Sequence, residues 1–426
     1  MNNTAGSHAL LKAQVSQDST VAANPRQAGG VILGKTDIAQ WAACRGTNSS
    51  AGWSAHGGQT VGAYYPNQSP SGSSSGSGVA TSIGLVWASL GTETSGSITL
   101  PSEVNNIVGI KPTVGLTSRY LVVPISEHQD TVGPMARTVK DAAYLLSAIV
   151  GSDPHDNYMS AIPFTKMPDY AAACVNYGLR GKRLGILRYI LKDIWAVDIL
   201  ISAGAEIVDD IIPPGFNAEV ILKLTSYVLG GDFLVNLETY LSELTWNPQS
   251  ISTLAQLREW TQQDPREEYP EHNTDAWDML LARGLRNTGP EFWDIYTRSQ
   301  HLAGQLGYSG ALKNHSLDAI VLPTKFALIL PVILGTPVIP VPFGRHPDDT
   351  SIVKDEIGNL DILAPNLPFG IVFAGAPFSE EALIGIAHDF EQQAQARKAI
   401  VPFIKPVTEL GTKVERKQSL LYTLDL

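Results

Sequence analysis

The sequence predicts an α/β protein, with a largely parallel or mixed sheet covered by helices and a helical insertion, and three observations carry that prediction. Up to about Ser152, short apolar runs, GVILG and NNIVGIKP, alternate with helical patterns, SGVATSIGLVWASL and RTVKDAAYLLSAIVG. That alternation is the βα texture of a helix-covered sheet. From about Asp153 to Ser316 the texture changes: after the strand-like RLGIL and the segment ISAGAEIVDD come longer helical stretches carrying Trp246, Trp260, Trp277 and Trp293. From Leu317 strand-like runs return, and a helix at Glu380–Ala399 closes the pattern, with Leu383, Ile384, Ala387 and Phe390 at helical spacing. Glu380 and Glu381 occupy its first turn and Arg397 and Lys398 lie near its end, as the helix dipole prefers.

These parts give a domain reading of 1–152 as the N-terminal part of a core, 153–316 as a variable helix-rich insertion or cap, 317–410 as the C-terminal part of the core, and 411–426 as a tail. A chain of 426 residues, 44% hydrophobic and 17% charged, has enough apolar sequence for one large unit with an insertion, or for two domains. Its formal charge of −11 is spread along the chain without a Lys/Arg run, which speaks against nucleic acid as a partner. Cys44 and Cys174 are the only cysteines and form neither a disulfide framework nor a zinc spacing, so a reduced, cytoplasmic setting is expected. No signal peptide is read at the N-terminus. The most apolar region, Ala319–Gly344, is cut by Pro323, Lys325, Pro331, Gly335, Pro337 and Pro340, which reads as short buried strands rather than a membrane span.

Within the first part, GGVILGKT at Gly29–Thr36 formally satisfies a phosphate-loop pattern. Its mechanism does not fit, because Val31, Ile32 and Leu33 between the glycines read as the strand itself, with Gly34 and Lys35 as the turn that ends it. Two serine-rich knots are more informative. SPSGSSSGSG at Ser69–Gly78 runs into an apolar segment, Val79–Leu90, read as helical, and GTETSGSI follows without a break. Linkers do not bracket a buried element; small residues on both sides instead indicate backbone packed closely around one site, with hydroxyls and amides turned toward it. A serine after TSG, opening a helical turn at Ile98–Asn105, would stand beside amides able to hold an oxyanion. The nine histidines supply neither a G-x-S-x-G elbow nor a triad arrangement. His128 and His388 are read as surface or structural residues.

GSSSGSGVATSIGLVWASLGTETSGSITLPSEVNNIVGIKPTVGLTSR resembles the signature of the amidase signature family, and the likeness continues through TAGSHALL, GGVILGKTD, SEHQDTVGPMARTVKDAA, LPFGIVFAG and SEEALIGIAHDFEQQAQARKAIVP in the family's order. It covers most of the chain and is closest to the fungal general amidases. The resemblance implies the amidase signature fold, a central twisted mixed β-sheet flanked by helices. It implies a hydrolase that cleaves a small-molecule carboxylic amide through a seryl acyl-enzyme, with no metal or organic cofactor. Ser97 matches the nucleophile and Ser73 the bridging serine of a Ser–cis-Ser–Lys triad. Thr94, Ser95, Gly96 and Ser97 match the oxyanion turn, Ser74 and Asp130 supporting polar positions, and Gln40 to Ala42 a wall of the acyl pocket. The family lysine falls about a dozen residues before Gly6, ahead of Met1, while Lys12, read on a helix, and Lys35 do not match it. The chain is therefore expected to be N-terminally truncated. Ser71 and Ser75 stand for glycines, Thr99 for an arginine, and RYILKDIWAVDIL is shorter than its family counterpart. Two further readings stay open, a catalytically inactive remnant or interaction protein and an A-type component of an amidotransferase. The particular amide and the oligomeric state are not legible.

Overall fold

The computed structural model describes residues 1–188, 194–211, 217–327 and 330–406; the tail at 411–426 and part of RYILKDIWAVDIL lie outside the described residues. Its main elements, in chain order, are α1 (Ser75–Ser82), β1 (Ala88–Glu93), α2 (Thr99–Val104), β2 (Val108–Gly109), β3 (Thr131–Ala136), α3 (Val139–Ile149), β4 (Arg183–Ile186), α4 (Ile194–Ser202), β5 (Glu206–Val208), α5 (Ala218–Ser242), α6 (Leu254–Gln263), α7 (Asp275–Arg283), α8 (Pro290–Ala303), β6 (Ala319–Pro323), β7 (Val338–Arg345), β8 (Pro368–Ala374) and α9 (Glu380–Ala394).

Strands β7, β8, β6, β4 and β5 lie side by side in that order, and β1, β3 and β2 form a second, antiparallel group. Reciprocal hydrogen bonds of 2.9 Å between Lys111, just after β2, and Val338 join the two groups into one sheet. It is mixed: β4 is parallel to β5 and β6, whereas β8 is antiparallel to both of its neighbours. Backbone N–H groups of alternate strand residues face the same neighbour, so the missing N–H of Pro340 and Pro342 lies on the side on which Val338 meets Lys111. The pairing on that side stops at this bridge, which is why β7 tolerates two prolines. The segment 153–316 thus supplies two strands of the main sheet as well as its helices.

Two cores result. Helices α3, α4 and α9 cover one face of the sheet around Leu146, Leu200, Phe343, Phe373 and Phe390, whose rings meet at centroid distances of 5.4 Å (Phe373–Phe390) and 5.9 Å (Phe343–Phe390). A second core joins Phe233 and Leu237 of α5, Leu257 of α6 and Trp277 of α7 to Ala9, Leu10 and Trp41. Helix α5 is 25 residues long with a mean hydropathy of 1.4 over its most apolar stretch, a composition and length that could cross a membrane; in this fold half of that stretch is buried.

Four local expectations need correction. Residues 29–36 form no strand, and Val31 and Leu33 are 83% and 72% exposed. An apolar run becomes a strand only against a partner, and no described segment pairs with it. The segment Val79–Leu90 is not one helix: α1 begins inside the serine run and ends at Ser82, a turn containing the left-handed Gly84 (φ 83°) follows, and the chain from Ala88 joins the sheet as β1. Trp246 ends a short strand, Leu244–Trp246, that pairs with Gln14–Val15 instead of lying on a helix. Lys12 follows a single turn at His8–Leu10 with φ 73°, outside any helix.

Candidate active site

The serine run is buried and ordered by contacts, not a linker. Ser73 and Ser75 are almost wholly inaccessible, and the Gly72–Ser73 peptide bond is cis. A side chain at Gly76 would put its Cβ 2.7 Å from the backbone of Asp37, so only glycine lets α1 lie against residues 36–39. There Gly76 donates to the Asp37 carbonyl (3.1 Å) and Ala39 to that of Ser73 (3.0 Å). The hydroxyl of Ser74 accepts from the Thr92 amide and donates to the Thr92 carbonyl, both at 3.1 Å, while the Ser74 amide donates to the Ser97 carbonyl (3.2 Å). These bonds bring the two serine knots, 24 residues apart in the chain, against each other.

The second knot is held by Glu93. One carboxylate oxygen, Oε2, accepts the amides of Ile98 and Thr99 and the hydroxyl of Thr99, each at 2.8 Å. Thr99 thus serves to close the turn. With Ile98 and Thr99 satisfied, the amides of Gly96 and Ser97 are left without an acceptor among the described residues. Ser97 is partly exposed, so a ligand can reach it. The other flank is Asp130, whose Oδ1 accepts the Thr94 hydroxyl (2.6 Å) and whose Oδ2 accepts the amides of Ile125 (2.7 Å) and Ser126 (3.0 Å). Burial nevertheless pushes the Asp130 carboxyl up to about 6, against the three bonds that favour the anion. Gln129 donates to the Thr94 carbonyl (3.3 Å) and completes the frame.

Residues Gln40 to Ala42 run on directly from Ala39, which is bonded to Ser73. Trp41 and Ala42 both have φ 52°, a left-handed kink held by the Trp41 amide donating to Ala5 (2.8 Å), by edge-on packing of Trp41 on Trp277 (6.1 Å) and by the buried Gln40 amide on Glu267 (2.5 Å). Asp130 acts electrostatically on Cys44, whose thiol burial holds at about 12, far from a reactive thiolate.

The structure therefore assembles Ser73, Ser74, Thr94, Gly96, Ser97 and Asp130 about one turn, with Ser95 exposed on it. A proton acceptor for Ser73 is not among the described residues: its Oγ is buried without a hydrogen-bond partner. Lys35 donates to Asn3 Oδ1 (2.9 Å), and Lys111 is buried with its ammonium on the carbonyls of Thr336 (2.9 Å) and Pro112 (3.3 Å), its pKa lowered to about 8 by that burial. Both histidines singled out in the sequence are buried rather than superficial. His128 meets Asp232 at 2.8 Å, and His388 lies 3.9 Å from Glu391 in its own helix. Glu93 and Asp232 were missed by sequence reasoning. Asp232 alone left a trace, a single carboxylate inside the apolar run VLGGDFLV.

A mixed sheet flanked by helices thus packs two serine-rich turns together beside amides that have no acceptor among the described residues. The Amidase family model matches residues 1–384, and the chain belongs to that family. By family it is an amidase, a hydrolase acting on amide carbon–nitrogen bonds. It is 48% identical over 421 residues to a protein of Arthroderma benhamiae whose name assigns it provisionally to the amidases, covering 96% of this chain and 71% of that protein. A protein of Arabidopsis thaliana, likewise assigned provisionally to the amidases, is 38% identical over 410 residues, covering 93% of this chain and 74% of that protein. The fold is similar to that of native peptide amidase from Stenotrophomonas maltophilia, with a TM-score of 0.83, 34% identity, and coverage of 94% of this chain and 81% of the other.

Proposed function

We propose that the chain cleaves a carboxylic amide through a seryl acyl-enzyme on Ser97. The observation that carries this reading is the bond from the Ser74 amide to the Ser97 carbonyl, which sets the Ser73 turn beside a serine flanked by unclaimed amides. In the proposed sequence Ser97 Oγ attacks the amide carbon and gives its proton to Ser73 Oγ, which passes its own to a neutral lysine. The oxyanion is held by the amides of the Thr94–Ser97 turn. The lysine proton returns through Ser73 to the leaving nitrogen, the carbon–nitrogen bond breaks, and water then hydrolyses the ester, releasing the acid and restoring Ser97. Metal plays no part in this sequence.

We place the lysine on a further strand and propose that this strand covers residues 31–33. The orphaned Ser73 hydroxyl and the exposed Val31 and Leu33 support that position. The same orphaned hydroxyl favours, as a second reading, a chain that binds amides without turning them over. Peptide amides are the first substrate class to examine, given the 34% identity to a peptide amidase.

A fluorophosphonate probe tests the assignment. Ser97→Ala should abolish labelling of the chain, whereas Ser73→Ala should slow it. Labelling that survives in Ser97→Ala would overturn the nucleophile. Turnover of an aryl or peptide amide should be unchanged by EDTA.

A further inference from the structure

Helix α5 is apolar for most of its length yet carries a wholly buried carboxylate, Asp232, toward the loop that ends in Asp130. Burying a carboxylate is costly unless each oxygen is satisfied, and here both are. Oδ2 accepts the Ser126 hydroxyl (2.5 Å) and His128 Nδ1 (2.8 Å), and Oδ1 accepts Asn287 Nδ2 (2.9 Å). Glu127, His128 and Asp232 come within 4.8 Å of one another, a metal-like spacing, but these hydrogen bonds already account for the Asp232 charge. His128 is itself clamped by rings of α8, with Tyr296 at 4.4 Å and Phe292 and Trp293 at 5.6 Å.

Ser126 is the relay point. Its hydroxyl takes the His128 amide (3.2 Å), its own amide goes to Asp130 Oδ2 (3.0 Å), and its carbonyl accepts the amides of Asp130 (2.8 Å) and Gln129 (3.2 Å). Asp130 and Gln129 in turn hold Thr94 by its hydroxyl (2.6 Å) and its carbonyl (3.3 Å). A continuous path of hydrogen bonds therefore runs from α5 to the first residue of the turn that presents the Gly96 and Ser97 amides. We infer that Asp232 is a positioning residue: through Ser126 and Asp130 it sets the Thr94–Ser97 turn, so that the 218–303 helices hold the oxyanion site in register. The inference rests on the reading of that turn as the reacting site, but the geometry it requires is measurable without turnover.

The test uses the 426-residue chain with Asp232→Asn, which keeps the side-chain volume and an oxygen for Asn287 while removing the charge shared by Ser126 and His128. Amide hydrogen exchange in a peptide spanning 94–98 should rise at least five-fold, with peptides from α9 unchanged. In an active form kcat should fall about ten-fold with KM within two-fold, because a displaced oxyanion turn weakens the transition state and not the ground state. Asp130→Asn should act likewise, and the double substitution should be no worse than the worse single one, as expected for members of one path. Unchanged exchange at 94–98 in Asp232→Asn, or additive effects of the two substitutions, would overturn the inference. Should Asp232→Asn fail to fold, Ser126→Ala removes the relay hydroxyl alone and should raise the same exchange about three-fold; no rise there overturns it equally. Failure of Ser97 labelling in a chain that passes the exchange test would count against the nucleophile and not against Asp232.

Discussion

At the residue scale the site is governed by where charge is allowed to sit. Glu93 holds Ile98 and Thr99 with one oxygen, which leaves the Gly96 and Ser97 amides without an acceptor among the described residues, as the proposed oxyanion site requires. Asp130 has the opposite difficulty, since burial raises its carboxyl to about 6 while three donors face it. Protonating it puts a hydrogen where Thr94, Ile125 or Ser126 already donates. We therefore expect kcat/KM to fall as pH drops through about 6 and this limb to vanish in Asp130→Asn, measured between pH 4.5 and 8. Stability should move the other way. With the folded value raised above the ordinary carboxylate value of 3.8, the folded state holds a proton that the unfolded chain has released across the window from 3.8 to about 6. This group's stabilising contribution is therefore present below that window and lost as pH rises through it. Denaturant titrations of wild type and Asp130→Asn at pH 4.5 and 7 would show that difference, and no difference would remove Asp130 from the account. The two serine knots were legible because small residues and their spacing are local features, while the particular roles of Ser73 and Ser97 are what the resemblance implies. Asp232 was not, because it reaches Ser126 across 106 positions of chain.

At the element scale, what matters is how each segment ends and what lies beside it. Helix α3 starts where Thr138 accepts the Asp141 amide (3.0 Å) and donates to the Asp141 carboxylate (2.7 Å). Thr138→Ala should lower the denaturant midpoint at unchanged m-value, with a loss of about 1 kcal/mol; a loss near zero would mean that packing alone fixes that end. Helical periodicity made α3 and α9 readable from the chain. The segment from Val79 to Leu90 misled because a short apolar run has no intrinsic period that separates helix from strand. Gly84 and the ladder from β1 to β3, in which Ala88 faces Ala136 and Glu93 faces Thr131, decided it.

At the scale of the whole molecule, the sheet and the apolar clusters on it tie residues far apart in sequence to the serine turns. Phe390 is wholly buried between Phe343 and Phe373, so Phe390→Ala should cost about 3–5 kcal/mol and be visible as early chemical unfolding. A tolerant response there would show that this face of the sheet can collapse around a cavity. The exposed Val31–Leu33 run makes a second prediction at this scale. A form of the protein carrying a strand with the proposed lysine ahead of residue 1 should be more soluble and turn over an aryl amide faster, by a factor of about 10²–10⁴ for a positioned general base. Equal turnover with that lysine changed to alanine would show that another group serves as the base.

Composition and periodicity by themselves determined the α/β class, α3 and most of the closing helix, and the two serine knots marked where backbone packs closely, because each is written in residues close together in the chain. The joining of two strand groups through Lys111 and Val338, the exposure of Val31 and Leu33, the turn closed by Glu93 and the path from Asp232 to Thr94 were decided only by tertiary structure. Each of these depends on whether a distant segment arrives to accept a hydrogen bond or cover an apolar face. A backbone amide or a buried carboxylate has no preferred partner until the fold supplies one.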